Sequence, residues 1–134
     1  MSVDPINPPD LGPASGFAHG QLGKEGGRVL FVAGQIGVIE GASAQVSMVD
    51  QFSEALRRIL RVVTEAGGSA TDIARMTVFV TDMDTYRQSR RELGPAWKTH
   101  MGRHYPAMAL VEVKSLVEPR AMVEIEATAV IGGA

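Results

Sequence analysis

Two glutamates, Glu124 and Glu126, stand two residues apart in the segment Met122 to Val130. In an extended strand, residues at that spacing share a face, so Met122, Glu124, Glu126 and Thr128 lie on one side and Val123, Ile125, Ala127 and Ala129 on the other. A carboxylate held in a partly buried cleft has the chemistry of a general acid or base, passing protons to and from water or an unsaturated carbon. His19 offers a second titratable group, of the one side-chain type whose ordinary pKa lies near neutrality. Beyond these the inventory is short. The three histidines, His19, His100 and His104, match no zinc-ligand spacing, and the absence of cysteine removes disulfides, thiolate nucleophiles and iron–sulfur clusters, so no cofactor or metal is expected. Gly23 to Gly27 lacks the Gly-x-Gly-x-x-Gly order of a nucleotide loop and reads as a turn. With 13 basic and 15 acidic side chains the net charge is −2, and no aromatic-plus-basic stripe is visible; nucleic acid is not an expected partner. The longest apolar runs, Val29 to Ala33 and Ala107 to Val111, are too short to span a membrane, and with no secretory signal a cytoplasmic location is expected.

The elements that must position these groups fit one domain of 134 residues, 45% apolar and 21% charged. Residues 1–15 contain Pro5, Pro8, Pro9 and Pro13 and read as an extended, Pro-rich arm; residues 16–134 form the single domain. Phe17 to Leu22 and Val29 to Ile36 read as strands joined in a hairpin by the Gly23 to Gly27 turn. After a Gly/Ala/Ser loop, Ser47 stands three residues before Asp50 in a capping arrangement. Val49, Phe52, Leu56, Ile59, Leu60 and Val63 then recur at helical spacing up to Gly67-Gly68. Met76 to Val80 is a short strand. Asp84 is expected to cap a second helical stretch through Tyr86, Leu93, Trp97 and Met101 that Gly94-Pro95 kinks or divides. Ala107 to Val113 and Ala121 to Val130 are the last strands, around a turn at Glu118-Pro119. The order β-β-α-β-α-β-β predicts an α+β fold, a mixed sheet carrying two helices on one face. In Ala107 to Val113, Met108, Leu110 and Glu112 oppose Ala109, Val111 and Val113; both faces look partly buried, which predicts a closed homo-oligomer.

The segments Leu30-Phe31-Val32-Ala33-Gly34-Gln35-Ile36, Asp50-Gln51, Thr77-Val78-Phe79-Val80 with Asp82-Met83, Tyr105-Pro106-Ala107 and Val123-Glu124-Ile125-Glu126-Ala127 occur in this order from about Gly16 to Val130. In them the chain resembles the RidA family of enamine/imine deaminases, also called YjgF-type and once labelled endoribonuclease L-PSP proteins. The resemblance implies a chorismate-mutase-like α+β fold, a homotrimer, and three small-molecule clefts at subunit boundaries. It implies that Glu124 is the glutamate that positions or activates water, with Gly34, Gln35 and His19 also matching. The sequence departs from the family pattern at four places. Met108 stands where the family's arginine grips the substrate carboxylate, Ala33 replaces a serine or threonine, Phe17 replaces a tyrosine, and the usual asparagine falls at Arg90 or Arg91. A thioether carries no charge and donates no hydrogen bond, so small imino acids such as 2-iminopropionate are expected to be poor substrates. The expected cleft is lined by Phe17, Ala33, Gln35, Met108, Leu110 and Glu124, with Arg90, Arg91 or Arg103 as replacement cations. It points to a deaminase of altered substrate range or, alternatively, to a non-catalytic metabolite-binding or protein-interaction module on the same trimeric scaffold.

Overall fold

The computed structural model describes residues 2–42 and 46–133, so part of the expected Gly/Ala/Ser loop, residues 43–45, lies outside the described residues. Among the described residues, six strands and three α-helices follow in the order β1 (Val3–Ile6), β2 (Gly20–Gly23), β3 (Arg28–Ile36), α1 (Met48–Glu65), β4 (Ile73–Val80), α2 (Met83–Gln88), α3 (Arg90–Met101), β5 (Ala107–Glu112) and β6 (Val123–Ile131). β3 to β6 form one sheet in the order β3-β6-β4-β5, in which only the β4–β5 pair is parallel. Parallel neighbours require a long crossover, and α2 and α3 supply it. β6 occupies the middle and alternates as its sequence demands: Val123, Ile125, Ala127, Ala129 and Ile131 are buried, while the residues between them are not.

The core lies between that buried face and the helices. α1 begins where Ser47 Oγ accepts from the Asp50 amide at 3.1 Å, and it buries Phe52, Ala55, Leu56, Ile59 and Val63 at i, i+3, i+4 spacing. Leu56 and Ile59 are wholly out of water, each contributing about 1.5–3 kcal/mol. Leu93, Trp97 and Met101 of α3 complete the layer. The opposite face of the sheet has no such cover within the protomer: Phe31 is 80% exposed, and Val29 and Val111 are exposed as well. No helix among the described residues is long and apolar enough to cross a membrane.

Three local expectations are corrected: the first hairpin, the point at which the second helical stretch divides, and the residue that caps it. The hairpin joining Phe17–Leu22 to Val29–Ile36 does not form: β2 pairs antiparallel with β1, Val3 facing Gly23 and Ile6 facing Gly20, whereas β3 pairs with β6. Pro5 costs β1 one donor, which an edge strand tolerates, and Val3 is fully buried. The second helical stretch divides at Ser89, ahead of Gly94-Pro95, because Ser89 bonds back through its amide and hydroxyl to the carbonyl of Thr85 and closes α2; Pro95 sits inside α3. Its cap is Asp82 and not the expected Asp84, which lies in the first turn of α2; Asp82 Oδ1 accepts from the Thr85 amide at 3.1 Å, a bond that holds the carboxyl below its ordinary pKa. The two last strands, β5 and β6, are separated in the sheet by β4.

Candidate functional site

The entry of β6 is fixed before Glu124 is reached. Gln51, buried at the start of α1, donates from Nε2 to the Arg120 carbonyl at 3.1 Å and accepts the Met122 amide on Oε1 at 2.8 Å. Its own backbone presses on Gly37, where an added Cβ would overlap the Gln51 carbonyl, so only glycine lets β3 leave the sheet beneath α1. The Arg58 guanidinium donates to the carbonyls of Ile36 and Val38, both at 2.8 Å, and is itself held by Glu54 at 2.8 Å. Hydrogen bonding by Arg57, opposed by partial burial and reinforced by Arg58, draws the Glu54 carboxyl down to about 2.

Between these anchors β3 carries a bulge. Val32 faces Ala127 and Gln35 faces Ile125, so β3 spends one more residue than β6 over the same stretch. Ala33 and Gly34 sit in it. A Cβ on Gly34 would lie 2.8 Å from Glu124 Cδ and 2.9 Å from Oε2, so the carboxylate rests directly against the glycine backbone. Glu124 is half-buried, opposite Ile36 on β3 and Phe79 on β4, and the Gln35 amide folds back to donate to the Ala33 carbonyl at 3.2 Å. Glu124, Ala33, Gly34 and Gln35 are thus brought together by backbone geometry.

Met108 and Leu110 lie elsewhere. They stand opposite Met76 and Val78, which are fully buried, and pack on the helix side of the sheet. There they line a cleft of about 250 Å³ with Arg90, Gly94 and Lys98 of α3, backed by Trp97 and Tyr105, whose rings stack at 5.7 Å. Of the three arginines considered as replacement cations, Arg90 lines this cleft, Arg103 lines a different cavity beside Phe17, and Arg91 lines neither. Lys98 was not anticipated, although Arg90, Gly94 and Lys98 recur at i, i+4 and so share a helix face. Phe17 and His19 form a third group, their rings edge-to-face at 5.1 Å, tied to β5 by the Ala18 amide bonding the Pro106 carbonyl at 3.1 Å. Within one protomer, then, Glu124 and Met108 project from opposite faces of the sheet. The outer group offers a carboxylate able to take and return a proton. The helix-side group offers an apolar slot with two cations beside it, suited to a carboxylate on an apolar body.

Comparison with known proteins places this arrangement. The family profile described as Endoribonuclease L-PSP matches residues 12–131. The mitochondrial protein mmf1 of Schizosaccharomyces pombe is 35% identical over 82 residues, 61% of this chain and 49% of that protein, so this alignment spans about half the relative's length. The 2-iminobutanoate/2-iminopropanoate deaminase of Mus musculus is 29% identical over 109 residues, 78% of this chain and 76% of the relative. Among solved structures, the Rid-family protein YyfB of Yersinia pestis superposes with a TM-score of 0.82 over 98% of this chain and 100% of that one at 24% identity, a likeness of fold. A bulged β3 that makes room for Glu124, on a mixed α+β sheet of chorismate-mutase-like type, is therefore carried by a chain that belongs to the endoribonuclease L-PSP family, the RidA/YjgF group.

Proposed function

We propose that this chain is a cytoplasmic RidA-like protein whose small-molecule cleft is completed between subunits of a homotrimer, and that it deaminates imines or enamines less polar than 2-iminopropionate. The observation that carries the reading is the Gly34 bulge, which seats the Glu124 carboxylate against bare backbone with room beside it. In the reaction, Glu124 takes a proton from water as the oxygen adds to the imine carbon and returns it to the nitrogen; it then passes the hydroxyl proton of the resulting carbinolamine to the same nitrogen, so that the C–N bond breaks, ammonia leaves and a ketone remains. Because Glu124 and Met108 face opposite sides of one sheet, both can meet one ligand only if a second copy brings its β5 to the first copy's β3 and β6. The exposed Phe31, Val29 and Val111 supply an apolar surface for that contact. Arg90 and Lys98, beside the Met108 cleft, are placed to receive a carboxylate in the absence of the family arginine.

A second reading, a non-catalytic binding module on the same scaffold, is favoured by Met108 itself, which replaces the charged grip with a side chain packed on the core. One assay separates the two. An amino-acid oxidase generates 2-iminopropionate or a bulkier apolar imino acid, and decay of each imine is followed with and without the protein. The deaminase reading expects faster decay of the bulkier imine, abolished by Glu124→Gln; no acceleration of any imine leaves the binding module. Light scattering tests the assembly, since a monomer at micromolar concentration removes the shared cleft.

A further inference from the structure

A cavity of about 570 Å³ that includes neither Glu124 nor Met108, and shares only Tyr105 with the Met108 cleft, lies between the first residues of the chain and the C-terminal end of α3. That volume is within the range of small-molecule sites, roughly 300–1,000 Å³. Its outer wall, with Pro5 and Ala14, is built in. β1 is paired along its length with β2, the His19 amide bonds Asn7 Oδ1 at 2.8 Å, His19 Nε2 meets the Gly12 carbonyl at 3.1 Å, and Val3 is fully buried. The inner wall presents Phe17, Met101 and Tyr105, and the Tyr105 ring is fixed by its stack on Trp97.

Two polar groups in this lining keep bonding capacity that the described residues do not use. Gln21 Nε2 donates to the Tyr105 carbonyl at 3.1 Å, which sets the orientation of the amide and leaves Oε1 buried with no donor among the described residues. A buried acceptor in that condition is stabilised by whatever brings it an O–H or N–H. Arg103, also in the lining, makes no ion pair among the described residues. An acceptor, a cation and an aromatic wall together specify a ligand. We infer that this cavity is a second binding site, for a monocarboxylate with an apolar, aromatic-sized body and one hydroxyl or amino donor: carboxylate to Arg103, donor to Gln21 Oε1, ring against Phe17 and Tyr105.

Titration calorimetry on the full chain tests it, with 3-phenyllactate as probe and 3-phenylpropionate, which lacks only the hydroxyl, as control. Phenyllactate is expected to bind about tenfold more tightly than phenylpropionate, the worth of one hydrogen bond to a buried acceptor. Gln21→Leu should erase that ratio. Arg103→Ala should weaken both ligands by up to about fivefold, as suits an exposed ion pair. Ala14→Trp, which fills the cavity and leaves the Gln21 hydrogen bond alone, should abolish binding of both, and it decides the matter if Gln21→Leu fails to fold. Glu124→Gln, which removes the carboxylate of the other site, should leave the affinity of both ligands for this cavity unchanged. The inference is overturned by no phenyllactate binding up to about 10 mM, the weak limit for a small ligand. A hydroxyl preference that survives Gln21→Leu, or binding that survives Ala14→Trp, overturns it equally. Loss of binding in Glu124→Gln would also overturn it, by assigning the ligand to the other site.

Discussion

Around Glu124 the protein shapes its surface with backbone: a bulge in β3, a glycine in contact with the carboxylate, and a second glycine under α1. Around Met108 it uses side chains, with methionine, leucine and two aromatic rings forming an apolar slot beside Arg90 and Lys98. The difference bears on how such a site can change. A feature written into the backbone register cannot be altered one residue at a time without disturbing the strands that hold it. A slot lined by flexible side chains can exchange arginine for methionine and keep its walls.

Substitutions on the two sides should separate accordingly. Gly37→Ala drives a methyl into the Gln51 carbonyl and should cost about 3 kcal/mol or more, or prevent folding, in urea unfolding followed by circular dichroism. Gly34→Ala displaces the Glu124 carboxylate and should cost about 1–3 kcal/mol. Combining it with Glu124→Ala should recover part of that loss, and strict additivity would show that the two do not compete for space. On the helix side, Met108→Leu conserves volume and should cost less than about 1.5 kcal/mol; a loss as large as that of Gly34→Ala would end the contrast drawn above. The smallest effect is expected from acid. Glu54 titrates lower in the folded protein than in the unfolded chain, so its contribution is complete above the ordinary carboxylate pKa of 4.5 and is lost as pH falls toward about 2. Because Glu54 holds Arg58, and Arg58 holds the carbonyls that end β3, Glu54→Gln should flatten stability between those pH values, which acid titration of the unfolding midpoint would measure.

Much of this was legible beforehand where one element decided the outcome by itself. The alternation of Met122 to Val130 placed Glu124 opposite the core, and the spacing of Phe52, Leu56, Ile59 and Val63 placed α1, because periods of 2 and 3.6 are local properties. What escaped was partnership. Nothing local to Gly20–Gly23 says whether its partner comes from the arm before it or the strand after it, and the prolines of the arm argued against a ladder that needs only a few donors. The break at Ser89 escaped because a side-chain bond to the previous turn closed α2 before the better-known breaker was reached. The bulge escaped for the same reason as the pairing: an extra residue has meaning only against the strand beside it. Glu124 was named from one strand and a resemblance, while the separation of Met108 from it required the order β6-β4-β5.

That order carries a temporal consequence. Among the described residues β6 is the last strand in sequence and lies between β3 and β4 in space, so β3 and β4, made long before it, have no strand on the sides they will offer to it until it arrives. Closing the sheet must wait for contacts between residues far apart in the chain, whose loops carry a large entropic toll before any ladder bond forms. During that interval both edges of β3 are open and Val32, which the finished sheet buries, is exposed, the type of surface on which growing chains associate wrongly. The strand that brings Glu124 into place is thus also the one that closes the inner edge of β3 and buries Val32.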